Sequence, residues 1–441
     1  MKLLFTPGDW CGTLIWEPVE GADSYAIYLK YSDSIRDFSC VADNITETTA
    51  TIGLDYARRA EFYVAAKQKG TVIAESERIT GKSNGLRAND FMVRDDKLHY
   101  FMPQMTHMLG SLFTANGEIW ICDSGLSKIG EVLNDYLMDI RKKAADELGM
   151  DESDESLKIA INAHLSHYHS DHIAGMFKIM MKNPCIAIEK INCSTPETDP
   201  EMRHFTGNNV KWNEAVAEYL PGKSTYYYEV PWGKHVRLDL ENINAVLDLY
   251  PAFEDHTTIY LKEDGSPDYS RGYWNIVALR DEAHAKVLAQ NYNSTWVVIR
   301  YGENSIFISG DYSGFDDTCL APTLDYYGRE NFESIDILTY PHHGVARYSK
   351  LLTDVTKAKY TVFMAALDEM LEQPRSVLAL RYCEAAGSKL LWTDKGAFTA
   401  TLDGKNVTID RAPDEWPDTS AIEVAPQPLN FSELKQYQTQ Q

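Results

Sequence analysis

Near residue 85 the periodicity of the chain changes, and this break constrains the fold more than any other feature. Before it, the runs 13–16, 25–29, 49–52, 62–65 and 71–74 are short and β-rich, with apolar residues alternating at period two. Each is bounded by Gly, Pro, Asp or Asn, which predicts a small all-β sandwich over residues 1–85. Gly81-Lys-Ser-Asn-Gly85 reads as a link. From about residue 90, apolar strand runs (119–122, 158–162, 296–299, 305–308, 335–338, 360–363) alternate with helical patterns (127–148, 172–182, 213–220, 348–357, 374–386). Such alternation predicts an α/β domain, here over 90–412. The stretch 186–290, rich in Tyr, Trp and Asn, reads as a long irregular insertion or lid, and 413–441 as an acidic, Pro-rich surface tail.

The chain has 441 residues, 44% hydrophobic and 24% charged, enough for two or three domains with a sizeable core. Its net charge of −23 would repel a polyanion at long range, which counts against nucleic acid as the main substrate. There is no 18-residue apolar run, and Thr6-Pro7-Gly8-Asp9 interrupts any leader-like start, so neither a membrane span nor a signal peptide is expected. Seven scattered cysteines without C-x-x-C spacing fit reduced thiols, and a cytoplasmic location is the expectation.

The run His164-Leu-Ser-His167-Tyr-His169-Ser-Asp171-His172-Ile-Ala-Gly175 carries the chemistry. Neutral imidazole and carboxylate are the usual ligands of zinc and similar divalent ions. His167 and His169 project to one side of an extended turn, while Asp171 and His172 open a helix and face a second position. The bland alternative makes the histidines surface groups and Asp171 a helix cap; four such side chains at this spacing argue against it. Four more residues sit at strand ends: Asp123 before Ser-Gly125, Asp311 after Ser309-Gly310, and His342-His343 before Gly344. Singly, an aspartate before glycine is usually a turn residue. Their order with the histidine run gives them weight.

That order resembles the metallo-β-lactamase superfamily over roughly residues 95–410, with Asp123, the 167–172 run, Asp311 and His343 matching its motifs. Within it, the chain resembles the hydrolase domain of ComEC-type DNA-uptake proteins and the related phosphorylcholine esterases. The matching segments are Asn291-Tyr-Asn-Ser294-Thr-Trp-Val-Val298, Phe307-Ile-Ser-Gly-Asp311, Pro341-His-His-Gly344 and Leu391-Trp-Thr-Asp394-Lys-Gly396-Ala-Phe. Separately, Leu14-Ile-Trp16-Glu-Pro18 with Tyr25-Ala-Ile-Tyr28 is similar to the B and C strands of fibronectin type III domains, although Ala60 stands where the corner tyrosine is expected. That resemblance implies a spacer or recognition module with a protein or glycan partner.

The superfamily resemblance implies an αββα sandwich with two divalent ions, zinc first, manganese or iron permitted. His167, His169 and Asp311 would hold the first ion; Asp171, His172, Asp311 and His343 the second. Asp123 would orient a ligand from behind, and Asp171 would also help position a hydroxide shared by the two ions. The first ion lacks the usual third histidine, and Asn291 to Ser294 stands in that place. Whether Asn291 and Ser294 complete the site or contact substrate stays open, with His256 and His284 as fallback ligands. His342 would donate to an anionic oxygen or protonate the leaving group, or simply pack.

The subgroup resemblance implies hydrolysis of a phosphodiester, with a small or phosphocholine-like substrate. Arg347 and Lys350, spaced i and i+3, would clamp phosphate or form a solvated helix face. Val345 stands where the subgroup favours serine. Tyr226, Tyr227, Tyr228, Trp232, Tyr273 and Trp274 would line a pocket able to cradle a cation, or form the insertion's own core. The competing readings are a lactone, thioester or β-lactam hydrolase on the same site, and an adhesion protein with a vestigial metal site. A flavo-diiron role is disfavoured, because those sites carry a glutamate where His169 stands.

Overall fold

A computed structural model describes residues 1–194, 208–220, 226–253, 263–264, 291, 293–312, 320–345 and 348–424. Eight strands come first: β1 (Leu3–Gly8), β2 (Cys11–Trp16), β3 (Ser24–Tyr31), β4 (Ser39–Ile45), β5 (Thr49–Gly53), β6 (Ala60–Gln68), β7 (Thr71–Glu75) and β8 (Ile79–Gly81). They form one sheet in the order β1-β2-β5 and another in the order β4-β3-β6-β7, with β8 on β6. Period-two alternation drives this: Leu14 and Trp16 of β2 are buried while Ile15 between them is exposed. Leu14, Trp16, Tyr25, Ile27, Phe62 and Val64 share one core, each large side chain contributing about 1.5–3 kcal/mol of burial. The Trp16 and Tyr25 rings meet edge-on at 5.4 Å, and the Tyr25 hydroxyl accepts the Val19 N–H at 3.0 Å.

The chain continues through β9 (Leu86–Arg87), β10 (Leu98–Met102), β11 (Gly110–Ala115), β12 (Glu118–Ser124), α1 (Ser127–Leu148), β13 (Leu157–Leu165), α2 (Ser170–Lys178) and β14 (Ile186–Ser194). Then come α3 (Asn208–Tyr219), β15 (Tyr226–Val230), β16 (Val236–Asp239), β17 (Ala245–Tyr250), β18 (Trp296–Tyr301), β19 (Asn304–Ile308), α4 (Ala321–Tyr327) and β20 (Ile337–Thr339). Last are α5 (Lys350–Thr356), β21 (Tyr360–Phe363), α6 (Leu367–Glu372), α7 (Pro374–Ala385), β22 (Lys389–Trp392), β23 (Phe398–Leu402) and β24 (Val407–Ile409). Among the described residues these strands make two large sheets. The nine-stranded one runs β15-β14-β13-β12-β11-β10-β23-β24 with β9 beside β13; the seven-stranded one runs β16-β17-β18-β19-β20-β21-β22.

The two sheets share a core. Leu157, Ile159 and Ile161 of β13 belong to the same apolar cluster as Leu247, Val297, Ile299 and Ile306 of the second sheet. Trp296, Val298 and Phe307, the alternate residues of β18 and β19, pack on the other side with Leu324, Leu352, Met370 and Leu380 of the helices. β12, β13 and β14 are parallel, as are β19, β20 and β21, so several strands release their carboxyl ends at the same edges. Ligands of α/β sheets gather at such edges.

The stretch expected as an irregular insertion differs at both ends. β14 and β15 extend the first sheet in parallel register, and β17 pairs antiparallel with β18 from Ala245↔Tyr301 to Tyr250↔Trp296. Glu189, Lys190 and Asn192 break the apolar pattern of β14, which hides it as a strand. Glu189 is there for the junction with the N-terminal sandwich: its carboxylate is paired with the Arg87 guanidinium, both side chains 3% exposed, and accepts the Tyr56 N–H at 2.9 Å. Beside it Arg58 binds Asp33 at 2.8 Å, Asp55 at 3.0 Å and Asn242 Oδ1 at 2.7 Å. Gly85, at φ +107, lies in the predicted link, and a Cβ there would stand 2.2 Å from the Tyr56 hydroxyl. Along the tail, Arg381 donates to the carbonyls of Thr419 and Ile422, holding this part against α7. Among the described residues no helix is long and apolar enough to cross a membrane.

Candidate metal centre

The carboxyl end of β12 sets the first support. Asp123 takes φ +55, a conformation unusual for a residue with a Cβ, and turns its carboxylate back into the protein. Its Oδ1 accepts the Ser166 N–H at 2.7 Å, and its Oδ2 accepts the Ser166 hydroxyl at 2.7 Å. The same Oδ2 lies 3.0 Å from His172 Nδ1. The histidine run leaves β13 and enters α2, which packs on β12 through bare backbone: a Cβ at Gly175 would meet the Ser124 carbonyl at 2.1 Å. That contact brings the first turn of α2, with Asp171 and His172, over the strand ends.

Two long-range segments complete the cluster. Asp311 follows β19 through Gly310 at φ +56, and His343 follows β20 in a turn where His342, His343 and Gly344 all have positive φ. His172 Nε2 lies 3.0 Å from Asp311 Oδ1, and His343 Nε2 lies 3.2 Å from Asp171 Oδ2 and 3.5 Å from Asp311 Oδ1. His167 Nε2 is 3.9 Å from Asp311 Oδ2, and the His167 and His169 rings meet at 4.7 Å. The ligating atoms fall into two groups, Asp171, His172, Asp311, His343 and His167, His169, Asp311, each within 4.8 Å, with Asp311 common to both.

These donors fit divalent cations. His167 Nε2, His172 Nε2 and Asp311 Oδ1 are buried and have no aligned hydrogen-bond partner among the described residues, although His172 Nε2 and Asp311 Oδ1 stand close. Orphaned buried polar atoms are costly, and bound cations would satisfy these three within the two donor groups. Without an ion, the carboxylates and the rings answer to one another. Burial would lower His172, but the Asp311 and Asp123 carboxylates overrule it and hold the ring well above the usual histidine range. Burial would raise Asp311, but His172, His343 and His342 hold it well below the usual carboxylate range. Burial, with the charges of His172 and His169, pushes His167 well down.

The remaining candidates scatter. His342 is 23% exposed, its Nδ1 bonded to the Val345 carbonyl at 3.0 Å and its Nε2 3.9 Å from Asp311 Oδ2, at the open side of the cluster. Ser294 is buried against His167 and Asp311, and Asn291 is buried nearby, its Oδ1 without a hydrogen-bond partner among the described residues. Lys350 is exposed and paired with Asp354 at 2.5 Å. Tyr226 and Tyr227 lie in β15; Tyr228 packs on the main core, and Trp232 is half-buried. Arg347, His256, His284, Tyr273 and Trp274 lie outside the described residues. Sequence reasoning passed over Ser166, whose only signal was a hydroxyl immediately before His167. It also left His164 without a role; this ring is 1% exposed, and burial pushes it down to about 4.

No protein-family model matches the chain. No curated protein matches it either. Among solved structures it is similar to the metallo-β-lactamase fold protein YhfI from Bacillus subtilis, at 10% identity and TM-score 0.36, covering 70% of this chain and 100% of that one. A diphosphatase from the PhnP family is similar at 13% identity and TM-score 0.28, covering 61% and 86%. An Fn3-like protein from Clostridium thermocellum is similar at 23% identity and TM-score 0.17, covering 19% of this chain and 90% of that one.

Proposed function

We propose that this chain is a dinuclear metal-dependent hydrolase of the metallo-β-lactamase type and ComEC-like subgroup, its two large sheets and flanking helices forming an αββα sandwich behind a fibronectin type III-like module. The observation that carries this is Asp311: one buried carboxylate belongs to both donor groups, so the two cations would lie side by side and share it. His167 and His169 would hold one, and Asp171, His172 and His343 the other. Divalent ions bound there would supply Lewis acidity and acidify a water at neutral pH.

The protein's own part is orientation and charge. Asp123 fixes the His172 ring from behind, and Asp171, in the first turn of α2 and within reach of His343, would position the attacking water. His342, with its Nε2 3.9 Å from Asp311, would pass a proton to a leaving group. Two divalent cations against the carboxylates of Asp171 and Asp311 and neutral imidazoles leave the centre net positive. That favours an anionic substrate, and a small phosphodiester is our choice of substrate class.

The test is incubation of the purified protein with bis-p-nitrophenyl phosphate, a lactone and nitrocefin, with and without chelator, beside metal analysis of the same sample. Chelator-sensitive turnover of the diester alone supports the proposal. Turnover of the lactone or nitrocefin instead would move the chemistry to acyl transfer, and a protein that binds no metal would be a binding module.

A further inference from the structure

The ring nitrogens facing away from the donor cluster point to a second, unassigned layer. His172 Nδ1 lies 3.0 Å from Asp123 Oδ2. The single hydroxyl hydrogen of Ser166 goes to that same carboxylate at 2.7 Å, so toward His167 Nδ1, 3.1 Å away, the Ser166 oxygen can only accept. Ser294 Oγ lies 3.3 Å from the same His167 Nδ1 and also accepts the Asp311 N–H at 3.2 Å. The hydrogens can be placed consistently with both rings protonated at Nδ1. The His167 Nε2 lone pair then faces the donor cluster, where that atom is buried without a hydrogen-bond partner among the described residues. Ser166 follows β13 of the first sheet, whereas Ser294 precedes β18 of the second. His167 is therefore held from both sheets.

We infer that Ser294 is a positioning residue of the first donor group: beside Ser166, which sets the Nδ1–H tautomer of His167, it braces that ring from the second sheet and ties it to the backbone of the shared Asp311. The inference rests on the metal reading above. It gives the serine a role behind His167 and not on the ion. Partners of this kind are worth about 10–100-fold in metal affinity. Ser294 Oγ touches His167 and the Asp311 backbone, while Asp171, His172 and His343 keep their own supports, so the two ions should respond unequally.

The test uses the full chain stripped of metal. Long-range nitrogen-15 NMR of labelled histidines reads the His167 tautomer at fixed pH, and zinc titration by calorimetry reads both ions in wild type, Ser294→Ala and Ser166→Ala. Expected are Nδ1–H at His167 in wild type and a loss of about 10–100-fold for one zinc ion in Ser294→Ala, the other retained. An Nε2–H ring in wild type, or a Ser294→Ala protein that binds both ions as wild type does, overturns the inference. If Ser294→Ala does not fold, the wild-type tautomer and Ser166→Ala decide, the latter expected to disturb both ions because Ser166 also holds Asp123. A wild type with the Nδ1–H ring but no zinc uptake sinks the proposed function and leaves the tautomer assignment intact.

Discussion

Asp171 and His343, from the first turn of α2 and the turn after β20, meet at 3.2 Å between carboxylate and Nε2. The contact closes the cluster across two sheets, so each partner depends on the packing that delivers the other. Several consequences can be measured.

Asp311 is the residue both donor groups share. Asp311→Ala should abolish uptake of both ions, and Asp171→Ala should weaken chiefly the group containing His172 and His343. Either should cut chelator-sensitive turnover by about 100-fold or more with the circular-dichroism spectrum unchanged. Wild-type turnover in either purified variant would refute the assignment.

Asp123 accepts from the Ser166 N–H, the Ser166 hydroxyl and His172. Replacing it with alanine strands three buried donors, so a loss of about 1–3 kcal/mol in folding stability is expected. Zinc affinity should fall about 10–100-fold alongside. Urea titration and calorimetry read the two effects separately.

The Arg87–Glu189 pair links β9 to β14, with both side chains 3% exposed, and holds the Tyr56 backbone of the N-terminal unit. Arg87→Ala should cost about 3–5 kcal/mol, because it leaves a buried carboxylate without its partner. The double replacement Arg87→Met, Glu189→Leu should cost far less, since apolar groups of similar size carry no desolvation penalty. Equal losses in the two proteins, measured by denaturant unfolding, would count against an electrostatic origin.

The metal-free protein should be most stable near pH 6.5. His172 is raised above that unfolded value, so its contribution is present below pH 6.5 and lost as pH rises through its folded value. His164, pushed down to about 4 by burial, works the other way: its contribution is present above pH 6.5 and lost as pH falls toward 4. His167, also lowered by burial and by neighbouring imidazoles, adds to the acid limb. Thermal melts of chelator-treated protein against pH should show both limbs, and His172→Gln should flatten the alkaline one. Zinc should stabilise the alkaline side most, since ligand imidazoles must be neutral to bind.

Much of the site was legible because its signals are local. In His167-x-His169-x-Asp171-His172 the spacing of an extended turn running into a helix sorts the side chains into two sets within six residues. Helix α1 was readable over its full 22 residues, since a long amphipathic period outweighs any single contact. The break near residue 85 likewise separates two textures each set by short-range alternation. What the sequence by itself determined, then, is the run of donors, the two patterns of secondary structure and the strand-end placement of Asp123, Asp311 and His343.

Tertiary structure decided the rest. β14 carries Glu189 and Asn192 in a buried strand, a pattern that makes sense only beside Arg87 and the sandwich packed against it. Asp311 lies between two donor groups, and Ser294 lies behind His167, through sheet registers that no neighbouring residue encodes. The physical reason is range. Turns and helices answer to residues a few positions apart, whereas an atom's place in a donor cluster is set by how two sheets stack, a sum over many weak contacts far apart in the chain.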